Sequence, residues 1–108
     1  MPNQIDKTLR ATADIRELIG YFKKNAGLEI ALKFIDHAEI AFNQLAKMPA
    51  LGAKLGFKER RFAEIRRWHI DGFDRLVIYY RETGNGIQVV RVRDGSQAFS
   101  TMFPSDPD

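Results

Sequence analysis

Six arginines fall within residues 66–93: Arg66, Arg67, Arg75, Arg81, Arg91 and Arg93. Glu64 lies just before them, and His69, Tyr79 and Tyr80 are interleaved with them. Cleaving RNA through its own 2′-hydroxyl needs a base, an acid and cations that stabilise the pentacoordinate phosphate. Arginine suits the last task because its planar fork pairs two phosphate oxygens at once. Any of the six could supply those cations, and Glu64, His69, Tyr79 or Tyr80 could transfer the protons. All six arginines also form a candidate binding surface for an anionic partner. The tyrosines and Trp68 read equally as half-buried sheet packing, and that reading is preferred.

Other chemistries find little support. His37 and His69 are the two histidines, without HExxH spacing, and His37 reads as a solvated helix residue. No metal site is expected. There is no cysteine, so disulfides and thiolate metal sites are excluded. The glycines at 84 and 86 fit a hairpin turn with no helix after it, which disfavours a phosphate-cradling loop. No cofactor is implied. Trp68, Phe73, Tyr79 and Tyr80 among arginines would suit base stacking, but no RNP, KH or helix-turn-helix signature accompanies them.

The elements that must carry these residues follow from periodicity. Arg75–Arg81 and Ile87–Arg93 are β-branched and aromatic runs around Gly84-Asn85-Gly86, a strong hairpin signal. Residues 61–70 alternate imperfectly and read as a strand, with the Asp71-Gly72 turn leading into 73–81. Upstream, Ile15, Leu18, Ile19 and Phe22 recur at helical spacing over about 11–25, and Gly27 stops that helix. Ala31, Ile35, Ala38, Phe42 and Leu45 form the stripe of a second helix over about 28–48, ended by Pro49. Residues 2–8 have weak strand character, 51–56 read as a loop, and 96–103 as a short helix. The expected fold is α+β: a helix hairpin packed on a curved antiparallel sheet, in the order β-α-α-β-β-β with a short C-terminal helix.

Length and charge frame this. At 108 residues a single domain is expected, over 1–103, with 104–108 as a frayed tail. No apolar run approaches the roughly 20 residues that span a bilayer. The N-terminus lacks the apolar stretch of a signal peptide, so the expected compartment is the cytoplasm, with no membrane partner. The net charge of +3 is uneven: +1 over residues 1–53, +5 over 54–93 and −3 over 94–108. The cationic excess belongs to the strand-rich half.

The order and spacing of several segments resemble the ParE branch of the RelE/ParE toxins of type II toxin–antitoxin systems. They are Lys7–Tyr21 at the first helix, Ala31–Asp36 and Phe42–Gly52 in the second helix and its exit, and Ile65-Arg66. Gly72-Phe73, Ile78–Arg81, and Gly86–Val92 with Gly95 complete the pattern. The resemblance covers about 5–103. It implies a small α+β toxin neutralised by an antitoxin that wraps over apolar and basic surface, with a dimer or a toxin–antitoxin hetero-oligomer as the assembly. ParE-type members inhibit DNA gyrase; RelE-type members cleave mRNA on the ribosome. Where ParE members carry histidine and arginine after the last strand, this chain has Asp94-Gly95-Ser96-Gln97-Ala98. Gln97 and Phe103 stand where RelE-type nucleases place an arginine and a tyrosine. Glutamine brings no charge to a phosphate and phenylalanine transfers no proton. The expected reading is a toxin of plasmid-stabilisation type that inhibits gyrase, with the six arginines facing the target. The alternatives are an mRNA interferase that uses Arg66, Arg75 and Arg81 with His69 or a tyrosine, Arg66 and Arg75 falling near basic positions of the family, and a detoxified interaction module. Antitoxin contacts are expected at Leu18, Phe22, Ile35, Phe42, Trp68 and Tyr79.

Overall fold

A computed structural model describes residues 3–97 and 102–103. Five strands form one sheet: β1 (Gln4–Lys7), β2 (Ala53–Lys54), β3 (Arg66–Ile70), β4 (Phe73–Glu82) and β5 (Gly86–Asp94). Helices α1 (Leu9–Asn25) and α2 (Leu28–Lys47) lie between β1 and β2 in the chain. The strand order is β1-β5-β4-β3-β2.

Helix α1 begins and ends on recognisable chemistry. The Thr8 hydroxyl accepts from the Ala11 N–H at 3.0 Å, capping α1. At the other end the Ala26 and Gly27 amides both donate to the Phe22 carbonyl, and Gly27 takes φ +99°. That left-handed turn reverses the chain into α2, giving the expected helix hairpin. Phe34, Ala38, Ala41, Phe42 and Leu45 of α2 then pack on Ile70, Leu76, Ile78, Tyr80, Ile87, Val89 and Val92 of the sheet.

The sheet departs from a simple antiparallel meander in three ways. β1 joins it beside β5 in parallel, with Ile5 opposite Ile87, so the sheet is mixed. The segment read as a loop after α2 supplies the edge strand β2, paired with Arg66 and Arg67 of β3. The expected strand over 61–70 starts only at Arg66, because 60–62 form a 3₁₀ turn. The cause is visible in the packing: Phe62 and Ile65 fold beneath the sheet and cover Val77 and Tyr79. Met102 is buried in the same cluster, with Phe103 packed against it. Leu76 to Tyr80 are consequently buried on both faces of β4. The expected short helix over 96–103 falls largely outside the described residues.

Candidate functional site

A register shift in the β4–β5 hairpin governs the arginines. Tyr79 pairs with Arg91 but Tyr80 pairs with Val89, so Val90 is an extra residue on β5. Past Val89 the outer edge of β5 no longer has β1 beside it, and α1 seals it instead. The Thr8 N–H donates to the Val89 carbonyl at 3.0 Å and its hydroxyl to the Val90 carbonyl at 3.0 Å. The Val92 N–H donates to Asp14 Oδ2 at 3.0 Å.

Asp14 is 3% exposed and is the anion around which the basic face is organised. Arg91 grips it with a two-pronged pair, Nε to Oδ2 at 2.7 Å and Nη2 to Oδ1 at 2.9 Å. Its third nitrogen, Nη1, donates to the Met102 carbonyl at 2.6 Å. The hydrogen bond and the charge of Asp14 raise the Arg91 pKa above its ordinary value, outweighing burial. Arg93 joins the network through Nη1, 3.4 Å from Asp14 and 3.3 Å from Glu17, while its Nε donates to Gln97 Oε1 at 2.8 Å. Asp14 went unremarked among the sequence-read candidates. Its signal was its place on the apolar period of α1, three residues after Ala11 and four before Leu18. A carboxylate on a buried stripe demands a cation.

The other arginines disperse. Arg67 lies opposite Tyr79, on the face away from the helices, with its guanidinium reaching toward Gly95. Arg66 emerges on the helix side and donates to the Gly52 carbonyl at 2.6 Å. Arg81 donates to Gln88 at 2.8 Å. Arg75 is 82% exposed and lies 3.4 Å from Asp94. Arg75 and Arg81 are six residues apart on one strand, which separates them by about 20 Å. His69 is held by the Asp74 carbonyl, 2.8 Å from its Nδ1. Arg66, His69, Arg75 and Arg81 therefore do not converge on one point.

Neither buried tyrosine is poised for proton abstraction. Burial raises the Tyr79 pKa, against an opposing pull from Arg67. Burial likewise raises that of Tyr80, whose hydroxyl accepts from the Gly52 N–H at 2.8 Å and donates to the Pro49 carbonyl at 2.7 Å. The Phe103 ring packs edge-on against Tyr79, with centroids 5.8 Å apart. No group of three or more His, Cys, Asp or Glu among the described residues is placed to hold a metal ion.

The residues expected to contact an antitoxin divide among three grooves and one buried position. Leu18 and Phe22 line a groove of 530 Å³ at the start of β4. Ile35 and Phe42 line one of 240 Å³ between the helices, with Lys7 and Glu39 at its rim. Trp68 lines a third, of 430 Å³, beside α2. Tyr79 is buried on the opposite side of the sheet. No helix of the described residues is long and apolar enough to cross a membrane.

A family model described as the ParE toxin of the type II toxin–antitoxin system, parDE, matches residues 5–99. Among solved structures, a chain described as the chromosomal ParDE TA system from P. aeruginosa superposes with a TM-score of 0.68. It is 20% identical, and the match covers 84% of this chain and 94% of that one. At that identity the likeness is one of fold. The curated proteins contain no match.

Proposed function

The chain belongs to the ParE toxin family of type II toxin–antitoxin systems, and on that premise we propose that it is the toxin of such a module. In this reading a cognate antitoxin neutralises it, and it acts in the cytoplasm by inhibiting DNA gyrase through binding, with residues 1–103 as one toxin domain. The observation that carries the binding mode is the composition of the basic face. The Gln97 side chain there accepts from Arg93, and Phe103 packs on Tyr79. Arg91 is consumed by Asp14, Arg66 and Arg81 emerge on opposite faces of the sheet, and Arg75 and Arg81 stand about 20 Å apart. Cations held at separate points favour docking on an extended surface over charge stabilisation at one phosphate.

The antitoxin fits the same logic. A segment carrying both apolar and acidic side chains would seat in the groove between the helices, over Ile35 and Phe42, and continue to Arg67 and Arg81 on the sheet. The test is a supercoiling assay with purified protein. The expected result is inhibition of gyrase, relieved by the small acidic protein encoded in the adjacent reading frame. Undiminished supercoiling at large molar excess, together with ribosome-dependent cleavage of mRNA, overturns gyrase inhibition in favour of the nuclease. Normal growth on induced expression points to a detoxified module instead.

A further inference from the structure

We propose that the groove crossing the start of β4 is a second docking site, for a segment of a partner protein that combines large apolar side chains with lysine or arginine. It is separate from the basic face, gives Leu18, Phe22 and Trp68 a different occupant from the acidic antitoxin expected of them, and does not depend on the gyrase reading. Two hollows, of 430 and 530 Å³, meet at Asp74 and together run from the C-terminal half of α1 to α2. Their apolar walls come from Tyr21, Phe22 and Phe73 on one side and from Ile40 and Trp68 on the other. Tyr21 is 60% and Ile40 is 66% exposed, far more than a core requires of large apolar side chains.

The walls are preformed. His37 on α2 holds the Asp71 carbonyl through Nδ1 at 2.6 Å, tying the β3–β4 turn to the helix. Gly72 takes φ +84°, and a Cβ there would stand 2.8 Å from His37 Nδ1, so the turn fits closely against the imidazole. Phe73 is wedged among Phe22, Phe34 and His37, with ring centroids 5.3 to 5.6 Å apart. A rigid groove binds without first being ordered.

Charge selects the occupant. The groups facing the groove are Asp71, Asp74 and Asp94, one cation, Arg75, and the two histidines. Arg75 is already paired with Asp94. Asp71 and Asp74 have no ion-pair partner among the described residues, although residues 54–93 carry a net +5. Both histidines give Nδ1–H to backbone carbonyls, because a carbonyl can only accept. Their Nε2 atoms are then acceptors in the neutral ring. Carboxylates, imidazole acceptors and the Trp68 indole make a setting for a cation borne on an apolar segment. An acidic segment would meet repulsion there.

Trp68 is the one tryptophan in the chain and lines the groove, so its fluorescence reports occupancy. The probe is a synthetic amphipathic helix of about 18 residues built from leucine and lysine, beside the same peptide with glutamate in place of lysine. The expected result is a saturable change in Trp68 emission with the lysine peptide. Asp71→Asn with Asp74→Asn should weaken it by about tenfold, and Asp6→Asn on β1 should leave it unchanged. Both groove substitutions keep the backbone carbonyls that hold the histidines, and circular dichroism verifies the fold. Equal or tighter binding of the glutamate peptide overturns the proposal, as does indifference to the two substitutions or the lack of saturable binding. The assay uses the toxin chain alone, so its outcome is independent of gyrase and antitoxin.

Discussion

Asp14 and Arg91 show how a charge can be recruited for construction. Their bidentate pair sits in the seam where β1 ends and α1 takes over the edge of β5, and the Asp14 carboxylate also accepts from the Val92 N–H. Removing one partner strands a buried charge, so Asp14→Ala or Arg91→Ala should each lower stability by about 3–5 kcal/mol in denaturant unfolding. Tyr80 makes a comparable but neutral anchor between β4 and the turn after α2. Tyr80→Phe leaves the Gly52 N–H and the Pro49 carbonyl without their partner and should cost about 1–3 kcal/mol. The buried tyrosines also set an alkaline limit. Their pKa values in the folded chain lie above the unfolded value of about 10. The resulting stability is therefore fully present below about pH 10 and is lost as pH rises through the folded values. Ultraviolet titration should show two phenols ionising late, with unfolding, and Tyr80→Phe should remove one of them.

At the scale of elements, the β1–β5 junction is the most exacting. Parallel pairing brings Gln4 so close to Gly86 that a Cβ on residue 86 would overlap the Gln4 backbone. Gly86→Ala should therefore detach β1 and leave the β4–β5 hairpin in place. Hydrogen exchange would show it as faster exchange of amides in β1 and at the β1-facing edge of β5, with β4 still protected. The two helices depend less on any single contact, because their stripe is spread over many alanines and aromatics. The hairpin was legible from residues 75–93 because its alternation and its turn chemistry agree. β2 was not legible: two residues, Ala53 and Lys54, carry no period, and they become a strand only because β3 offers an open edge. The 3₁₀ turn at 60–62 was hidden for a related reason. Phe62 and Ile65 alternate plausibly as strand residues, and only the uncovered Val77–Tyr79 surface draws them beneath the sheet.

For the molecule as a whole, charge is divided between two poles. Arg67 and Arg81 stand on the strand side, and Asp71 and Asp74, without an ion-pair partner among the described residues, stand at the start of β4. If the basic side meets an acidic antitoxin, Arg67→Glu with Arg81→Glu should slow association by about tenfold at low salt, with little change in the thermal stability of the toxin. The difference should shrink at high ionic strength, where screening removes steering. Stopped-flow association at two salt concentrations checks this.

The helix hairpin and the β4–β5 hairpin could be reached from the sequence because each depends on local spacing that the chain carries within a few residues, and the family through a resemblance in the order of segments along nearly the whole chain. The fate of the arginines could not. Six cations on alternating strands look like one surface. Pleat parity sends Arg66 to the helix side, and an extra residue at Val90 sets the register beyond it. A carboxylate 77 positions away in the chain then withdraws Arg91 from solvent. Register and long-range pairing are properties of the assembled sheet, so only the tertiary structure decides which cations remain for a partner.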